Sequence, residues 1–255
     1  MFRKVAFSMM FISAWLFTGC SGGGSGGDTA SLLNSTSSAT GYTIIQAAAA
    51  SYQTPNNQNR KLVVVAFVRD NTTGLLSSAT NLVGASNPGF PNSGITYGNN
   101  NSVLMVPTSN MHLGEAASWT AGQNMATFYI SSFGGSGSTV SRTAESTYLD
   151  APANVNTPQN PSASQAIVIQ WGAVPGATGY SVTLQPASGA TVEAGTINKV
   201  TAAWSPLTVP TYTVPPNTLV AGVTYSVKVQ AYNANTLDQL TKTSESTAVN
   251  MAVGP

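Results

Sequence analysis

Residues 219–232 read LVAGVTYSVKVQAY, and this stretch decides the fold. From Tyr225 onward, apolar and polar residues alternate, which is the period-two pattern of a β-strand with one buried face. Gly222 interrupts the apolar run ahead of that strand and indicates a turn. We therefore predict a strand whose buried face carries Tyr225, Val227, Val229 and Ala231.

Two earlier segments show the same alternation, and a turn rich in proline and glycine separates them. Residues 166–171 read AIVIQW, and residues 180–184 read YSVTL. The alternation predicts two further strands of the same sheet structure. Their predicted inward positions are Ile167, Ile169, Trp171, Tyr180, Val182 and Leu184.

Residues 162–255 as a whole resemble a fibronectin type III domain. The resemblance is carried by Trp171 on the second strand, Tyr180 on the third, and the set Leu219, Gly222 and Tyr225. It implies a β-sandwich in which these residues are structural. It also implies a tyrosine corner, in which the Tyr225 phenol bonds back to the preceding backbone. The segment 185–211 is longer than the middle strands usual in that family, so its strand count stays open.

Residues 41–150 are predicted to form a first β-sandwich. Residues 61–70, KLVVVAFVRD, are a continuous apolar run typical of a strand in a sandwich interior. Residues 43–52 predict the first strand, although their alanine run also has helical propensity. The rhythm of short strands resembles that of bacterial Ig-like modules. Residues 151–161, APANVNTPQNP, predict an extended linker, so the fold class is all-β with two tandem Ig-like and fibronectin type III sandwiches.

The N-terminus predicts export. Arg3 and Lys4 precede a short uncharged apolar run, which is the layout of a secretory signal peptide over residues 1–19. The run ends in residues 16–20, LFTGC, which resemble the bacterial lipobox. In that family the signal is cut between the residues that correspond to Gly19 and Cys20. The cysteine then carries a diacylglycerol on its thiol and an acyl chain on its new amine. Cys20 is the only cysteine in the chain, so no intramolecular disulfide can form.

Residues 20–40 are predicted to be the lipidated cysteine followed by a tether rich in glycine and serine. Such a segment stays flexible and reaches about 25 Å root-mean-square over twenty residues. Each buried lipid CH₂ contributes about 0.8 kcal/mol, so two or three acyl chains hold a protein firmly on a membrane. By analogy with lipoprotein sorting, Ser21 rather than aspartate after the cysteine implies delivery to the outer membrane of a diderm bacterium. The body would face the periplasm or the outside.

Composition limits the partners and the chemistry. Charged residues make up 7% of the chain, so there is no basic patch to neutralise phosphates, and we expect no nucleic-acid partner. His112 is the only histidine, and its neighbour Glu115 offers no particular geometry for a catalytic triad. We therefore expect no enzyme, no metal site and no cofactor other than the lipid on Cys20. Two pairs of oxygen-bearing side chains stay open as calcium alternatives, although each supplies few ligands: Asp70 with Asn71, and Glu145 with Asp150.

The sequence therefore predicts a lipid-anchored envelope protein that binds or scaffolds without catalysis. Phe90 and Tyr97, in a segment rich in proline, glycine and asparagine, are the candidate contact surface. The partner would be a protein or a glycan. One alternative is an accessory subunit of a secretion, pilus or surface-filament assembly. A second alternative is a carbohydrate-binding or carbohydrate-active surface protein.

Overall fold

The computed structural model describes residues 41–76, 83–86, 96–97, 112–116, 125–130, 139–197 and 203–255. All of them belong to one compact unit, Leu33–Pro255. The predicted signal peptide, Gly19, Cys20, the tether and Phe90 lie outside the described residues. For Tyr97 the description covers the backbone only.

The described part of the chain is all-β, which confirms the predicted fold class. Its two short 3-10 helices are Pro55–Asn57 and Leu237–Gln239. Among the described residues, no helix has the length and apolar character needed to span a membrane. The strands in chain order are β1 (Tyr42–Thr54), β2 (Gln58–Asp70), β3 (Val83–Ser86), β4 (Thr96–Tyr97), β5 (His112–Ala116), β6 (Met125–Ile130), β7 (Thr139–Thr143), β8 (Ile167–Gln170), β9 (Gly179–Pro186), β10 (Val192–Ala194), β11 (Thr211–Val214), β12 (Thr224–Tyr232), β13 (Lys242–Glu245) and β14 (Val249–Ala252).

The described strands form one large sheet and two small ones. The large sheet has the order β10-β9-β12-β13-β1-β2-β5-β4, and β14 also pairs with β12. The small sheets are β11-β8 and β3-β6-β7. At the centre of the large sheet, β1 pairs in parallel with β13 through Ser51 and Lys242, Tyr52 and Thr243, and Gln53 and Ser244.

The β1–β2 hairpin is buried on both faces. One face packs in a cluster that includes Ile44, Val64 and Ala126, and the other packs in a cluster that includes Phe67 and Tyr232. This double burial explains the continuous valine run of β2. It also explains why the alanine run of β1 is a strand, because small side chains let covering layers approach from both sides. Tertiary packing therefore overrides the helical propensity of the alanines.

The strands after residue 161 form a sandwich around their own core. All six inward positions predicted for the two early strands are buried in one cluster, together with Tyr225, Val227, Val229 and Ala231. β8 and β11 form the second layer over β9, β12 and β14. The segment 185–211 holds the short strand β10 and a bridge between Ile197 and Trp204.

The division into domains at residues 151–161 stays a prediction. Along this boundary the structure shows direct backbone pairing between β1, which precedes it, and β13, which follows it. The large sheet is therefore continuous from the strands before residue 150 to those after residue 161.

Candidate functional site

A row of polar side chains fastens residues 147–150 across the junction of β1 and β13. Ser51 Oγ donates to the carbonyl of Thr147, and Gln53 Nε2 donates to the carbonyl of Leu149, each at 2.7 Å. Ser244 Oγ donates to the carbonyl of Asp150 at 2.7 Å. We call Ser51, Gln53 and Ser244 the clasp. Because parallel pairing places Gln53 beside Ser244, the clasp lies on one face of the sheet.

Glu145 lies at one end of the clasp, and both of its carboxylate oxygens have polar partners. Lys242 Nζ is 2.8 Å from Glu145 Oε2, while Thr241 Oγ1 donates to Oε1 at 3.0 Å. The hydrogen bond from Lys242 holds the pKa of the Glu145 carboxyl below its usual value, against the opposing effect of partial burial. Asn233 joins them, because its Nδ2 donates to both Glu145 and Thr241.

These contacts bear on the two calcium alternatives. Glu145 binds a cation of the chain itself, Lys242, so a calcium site shared with Asp150 is not supported. Asp70 Oδ1 accepts from the backbone N–H groups of Thr72 and Thr73, which makes Asp70 a turn residue. Within the described residues there is no group of three or more His, Cys, Asp or Glu side chains placed to hold a metal ion.

Beside the clasp, where β1 ends, a cleft of about 570 Å³ opens. The turn after β1 forms one wall, residues 150–155 form another, and residues 246–249 lie along the third side. Asn56 and Asn57 have φ of 62° and 58°, a left-handed conformation that asparagine tolerates better than most residues. The described lining residues are Gln53, Thr54, Pro55, Asn56, Asn57, Asp150, Ala151, Pro152, Ala153, Asn154, Val155, Ser246, Thr247 and Val249.

The lining surface of the cleft is mostly apolar and carries a few neutral polar groups. Asp150 is the one charged residue among the described lining residues. The other polar groups are amides and hydroxyls, which both donate and accept hydrogen bonds. Such a lining suits an uncharged ligand that combines apolar surface with a few hydrogen-bonding groups.

A network of polar side chains lies on the face of β12 that points away from the core around Trp171. Tyr232 OH lies 2.7 Å from both Ser181 Oγ and Gln230 Oε1, and Gln230 Nε2 donates to Glu245 at 3.2 Å. Lys228 Nζ lies at the end of this network, 2.8 Å from Glu245 Oε1. Burial raises the pKa of Tyr232 well above its usual value. The network gives hydrogen-bond partners to buried polar groups in the part of the large sheet that the cluster around Phe67 covers.

Four of the residues that carry the sequence resemblance, Trp171, Tyr180, Leu219 and Tyr225, lie in one core. Trp171 and Tyr180 are in edge-to-face contact, with ring centroids 5.5 Å apart. Tyr180 OH accepts from the backbone N–H of Val174 at 2.9 Å. Tyr225 OH accepts from the backbone N–H of Val220 at 3.0 Å, next to the buried Leu219. Gly222 has φ of +76°, which lets the chain turn into β12.

The bond from Val220 to Tyr225 is the geometry of a tyrosine corner. Residues 150–247 match the family model of the fibronectin type III domain. The matched stretch begins at Asp150, whose carbonyl accepts from Ser244 Oγ.

Similar solved structures include fibronectin-type proteins. The "Myokine structure" is 16% identical and covers 41% of this chain and 97% of its own, with a TM-score of 0.29. An Fn3-like protein from Clostridium thermocellum is 19% identical and covers 43% and 97%, with a TM-score of 0.28. The chicken CNTN1 FN1-FN3 domains are 11% identical and cover 81% and 63%, with a TM-score of 0.30. No curated protein matches the chain.

The contact surface that the sequence predicted, Phe90 and Tyr97, stays a prediction, because Phe90 and the Tyr97 side chain lie outside the described residues. The backbone of Tyr97 is in β4, at the end of the large sheet opposite β10. His112 and Glu115 are both in β5, which pairs with β2. The clasp was not predicted from the sequence. The sequence feature that could have indicated it is the pair of polar residues Ser51 and Gln53, two positions apart and so on one face of the strand, at the end of an apolar run.

Proposed function

We propose that this chain is a lipid-anchored cell-envelope protein whose β-body is a non-catalytic binding or scaffolding module. The observation that carries the role of the body is the fibronectin type III match over residues 150–247, since such domains serve as binding and scaffolding modules. The neutral cleft at the edge of that region supports it by offering a place for a partner. Low overall charge argues against nucleic acid as that partner.

The anchor is proposed from the first forty residues. The lipobox resemblance of residues 16–20 and the single cysteine support acylation of Cys20. The tether then holds the body clear of the lipid headgroups. Ser21 supports delivery to the outer membrane of a diderm bacterium, with the body facing the periplasm or the cell exterior.

Two alternatives each have one supporting observation. For an accessory subunit of a secretion, pilus or surface-filament assembly, it is the short strand β10 at one end of the large sheet, because terminal strands offer backbone groups for pairing. For a carbohydrate-binding or carbohydrate-active protein, it is the amide-rich lining of the cleft. Crosslinking in membranes followed by purification separates the first from a lone binder, and a glycan array tests the second.

Metabolic labelling in the natural host tests the anchor. Radiolabelled palmitate should enter the wild-type chain but not Cys20→Ser, and globomycin should cause the unprocessed form to accumulate. Equal label in both chains, or none in the wild type, would contradict the proposal. Protease treatment of intact cells then decides which side of the membrane the body faces.

A further inference from the structure

We infer that Asn71, in the turn that follows β2, is an acceptor for an N-linked oligosaccharide. Residues 71–73 read NTT, which is the Asn-x-Ser/Thr triplet of N-glycosylated asparagines in exported proteins. The chain has three such triplets, beginning at Asn34, Asn71 and Asn100, and the described residues include the one at Asn71. In a chain rich in asparagine, serine and threonine the triplet also arises by chance, so the structural context decides. The inference rests on the proposed export of the chain and is independent of lipid on Cys20.

The triplet lies in a closed, exposed turn. Residues 70–75 form a loop, because the backbone N–H of Asp70 donates to the carbonyl of Leu75 at 2.9 Å. Asp70 Oδ1 accepts from the backbone N–H groups of Thr72 and Thr73, which orders the middle of the loop. All three residues of the triplet are exposed. A transferase can therefore reach the triplet in the folded protein.

The acceptor amide is held by its oxygen. Thr43 Oγ1 donates to Asn71 Oδ1 at 3.0 Å, and the backbone N–H of Asn71 donates to the carbonyl of Gly41 at 2.8 Å. Because the oxygen and the nitrogen of a carboxamide lie on opposite sides of its carbon, this contact leaves Nδ2 on the side away from Thr43. Nδ2 makes no hydrogen bond with the part of the chain that the structure describes. The nitrogen that would receive the sugar is therefore accessible.

The hydroxyl that the triplet requires belongs to Thr73. Its Oγ1 accepts from the backbone N–H of Leu75 at 3.4 Å, which uses a lone pair and leaves the O–H proton for another acceptor. In the transfer, Asn71 Nδ2 attacks C1 of the first sugar of an oligosaccharide carried on a lipid diphosphate. The bond between C1 and the diphosphate oxygen breaks, and the lipid diphosphate leaves with the electron pair. Nδ2 loses one proton to a base of the transferase, and the new bond joins Nδ2 to C1.

The position of Asn71 is compatible with the proposed binding role of the body. Asn71 is hydrogen-bonded to Gly41, where the predicted tether meets β1. The cleft opens beside Thr54, at the other end of the same strand. The two ends of β1, Tyr42 and Thr54, are about 40 Å apart along the strand, at about 3.3 Å per residue. An oligosaccharide on Asn71 would therefore leave the cleft open.

The composition of the chain gives the oligosaccharide a physical role. Charged residues make up 7% of the chain, whereas they make up about 25% of an average soluble domain. Charge therefore contributes little to the solubility of this protein. Leu75 lies in the same turn and is 64% exposed, the highest value among the large hydrophobic side chains of the described residues. A hydrated oligosaccharide on Asn71 would cover this apolar side chain and add uncharged polar surface.

Mass spectrometry of the full chain recovered from its natural host tests the inference. The wild-type peptide that contains Asn71 should carry an oligosaccharide, and electron-transfer fragmentation should place it on that residue. Asn71→Gln and Thr73→Ala should each reduce the glycosylated peptide at least tenfold. Thr73→Ser should retain it, because serine keeps the hydroxyl. Thr72→Ala, at the neighbouring exposed threonine, is the matched control and should retain it as well.

The wild-type spectrum decides the case even where a variant fails to fold. An unmodified Asn71 in the wild type, or a loss in Thr72→Ala equal to that in Thr73→Ala, would overturn the inference. Sugar that persists in Asn71→Gln would overturn it in favour of linkage to a threonine hydroxyl. The same spectra report on Cys20: lipid there without sugar on Asn71 overturns this inference alone, whereas sugar on Asn71 with a free thiol at Cys20 contradicts the anchor alone.

Discussion

Replacing Gln53 with alanine should loosen the junction between β1 and the fibronectin type III region. The Gln53 side chain is 3% exposed, its Nε2 donates to the carbonyl of Leu149 at 2.7 Å, and its Oε1 accepts from Arg60 Nε at 3.2 Å. Alanine removes both bonds and leaves a buried carbonyl without this donor. An unsatisfied buried group costs about 1–3 kcal/mol, so we expect the free energy of unfolding to fall by about 2–3 kcal/mol.

Urea denaturation followed by tryptophan fluorescence measures this loss. Gln185→Ala is the matched control, because Gln185 is also on a strand but is exposed, and its replacement should change stability by less than about 0.5 kcal/mol. Gln53→Glu separates the two bonds, because a carboxylate can still accept from Arg60 but cannot donate to Leu149. It should therefore destabilise the protein as well. A Gln53→Ala chain within about 0.5 kcal/mol of the wild type would refute the reasoning.

Three further predictions test other contacts. Tyr225→Phe removes the acceptor for the Val220 N–H and should lower the free energy of unfolding by about 1–2 kcal/mol in urea denaturation; an unchanged midpoint would contradict a stabilising corner. Gly195→Ala should cost at least about 3 kcal/mol, since a Cβ there would lie 2.3 Å from the Tyr180 carbonyl at φ +70°; soluble protein of wild-type melting temperature would contradict it. The lowered pKa of Glu145 means that its stabilisation is present above the unfolded pKa and is lost as the pH falls through the lower folded value. Glu145→Gln should therefore flatten the fall in urea midpoint below about pH 4.5, and an acid profile identical to the wild type would contradict this.

Local periodicity accounts for much of the fibronectin type III region. The alternation around Trp171, Tyr180 and Tyr225 predicts which side chains are buried, because one face of each strand meets one core. The same reasoning works for β2, whose unbroken valine run requires burial on both faces.

The junction could not be predicted from local pattern. Parallel pairing of β1 with β13 joins segments far apart in sequence. Nothing in the sequence of either strand indicates that the other is its partner. Ser51 and Gln53 bond to backbone carbonyls, so residues of any type at positions 147 and 149 would have suited them. The cleft follows from that pairing, since it opens where β1 leaves the edge.

The central proposal is that this body is attached to a membrane through Cys20. Intact-mass and peptide mass spectrometry of the chain recovered from its natural host tests it most directly. The account predicts a mature N-terminus at Cys20 whose mass includes a diacylglycerol and an acyl chain. A free thiol at Cys20, or a chain that retains residues 1–19, would contradict it.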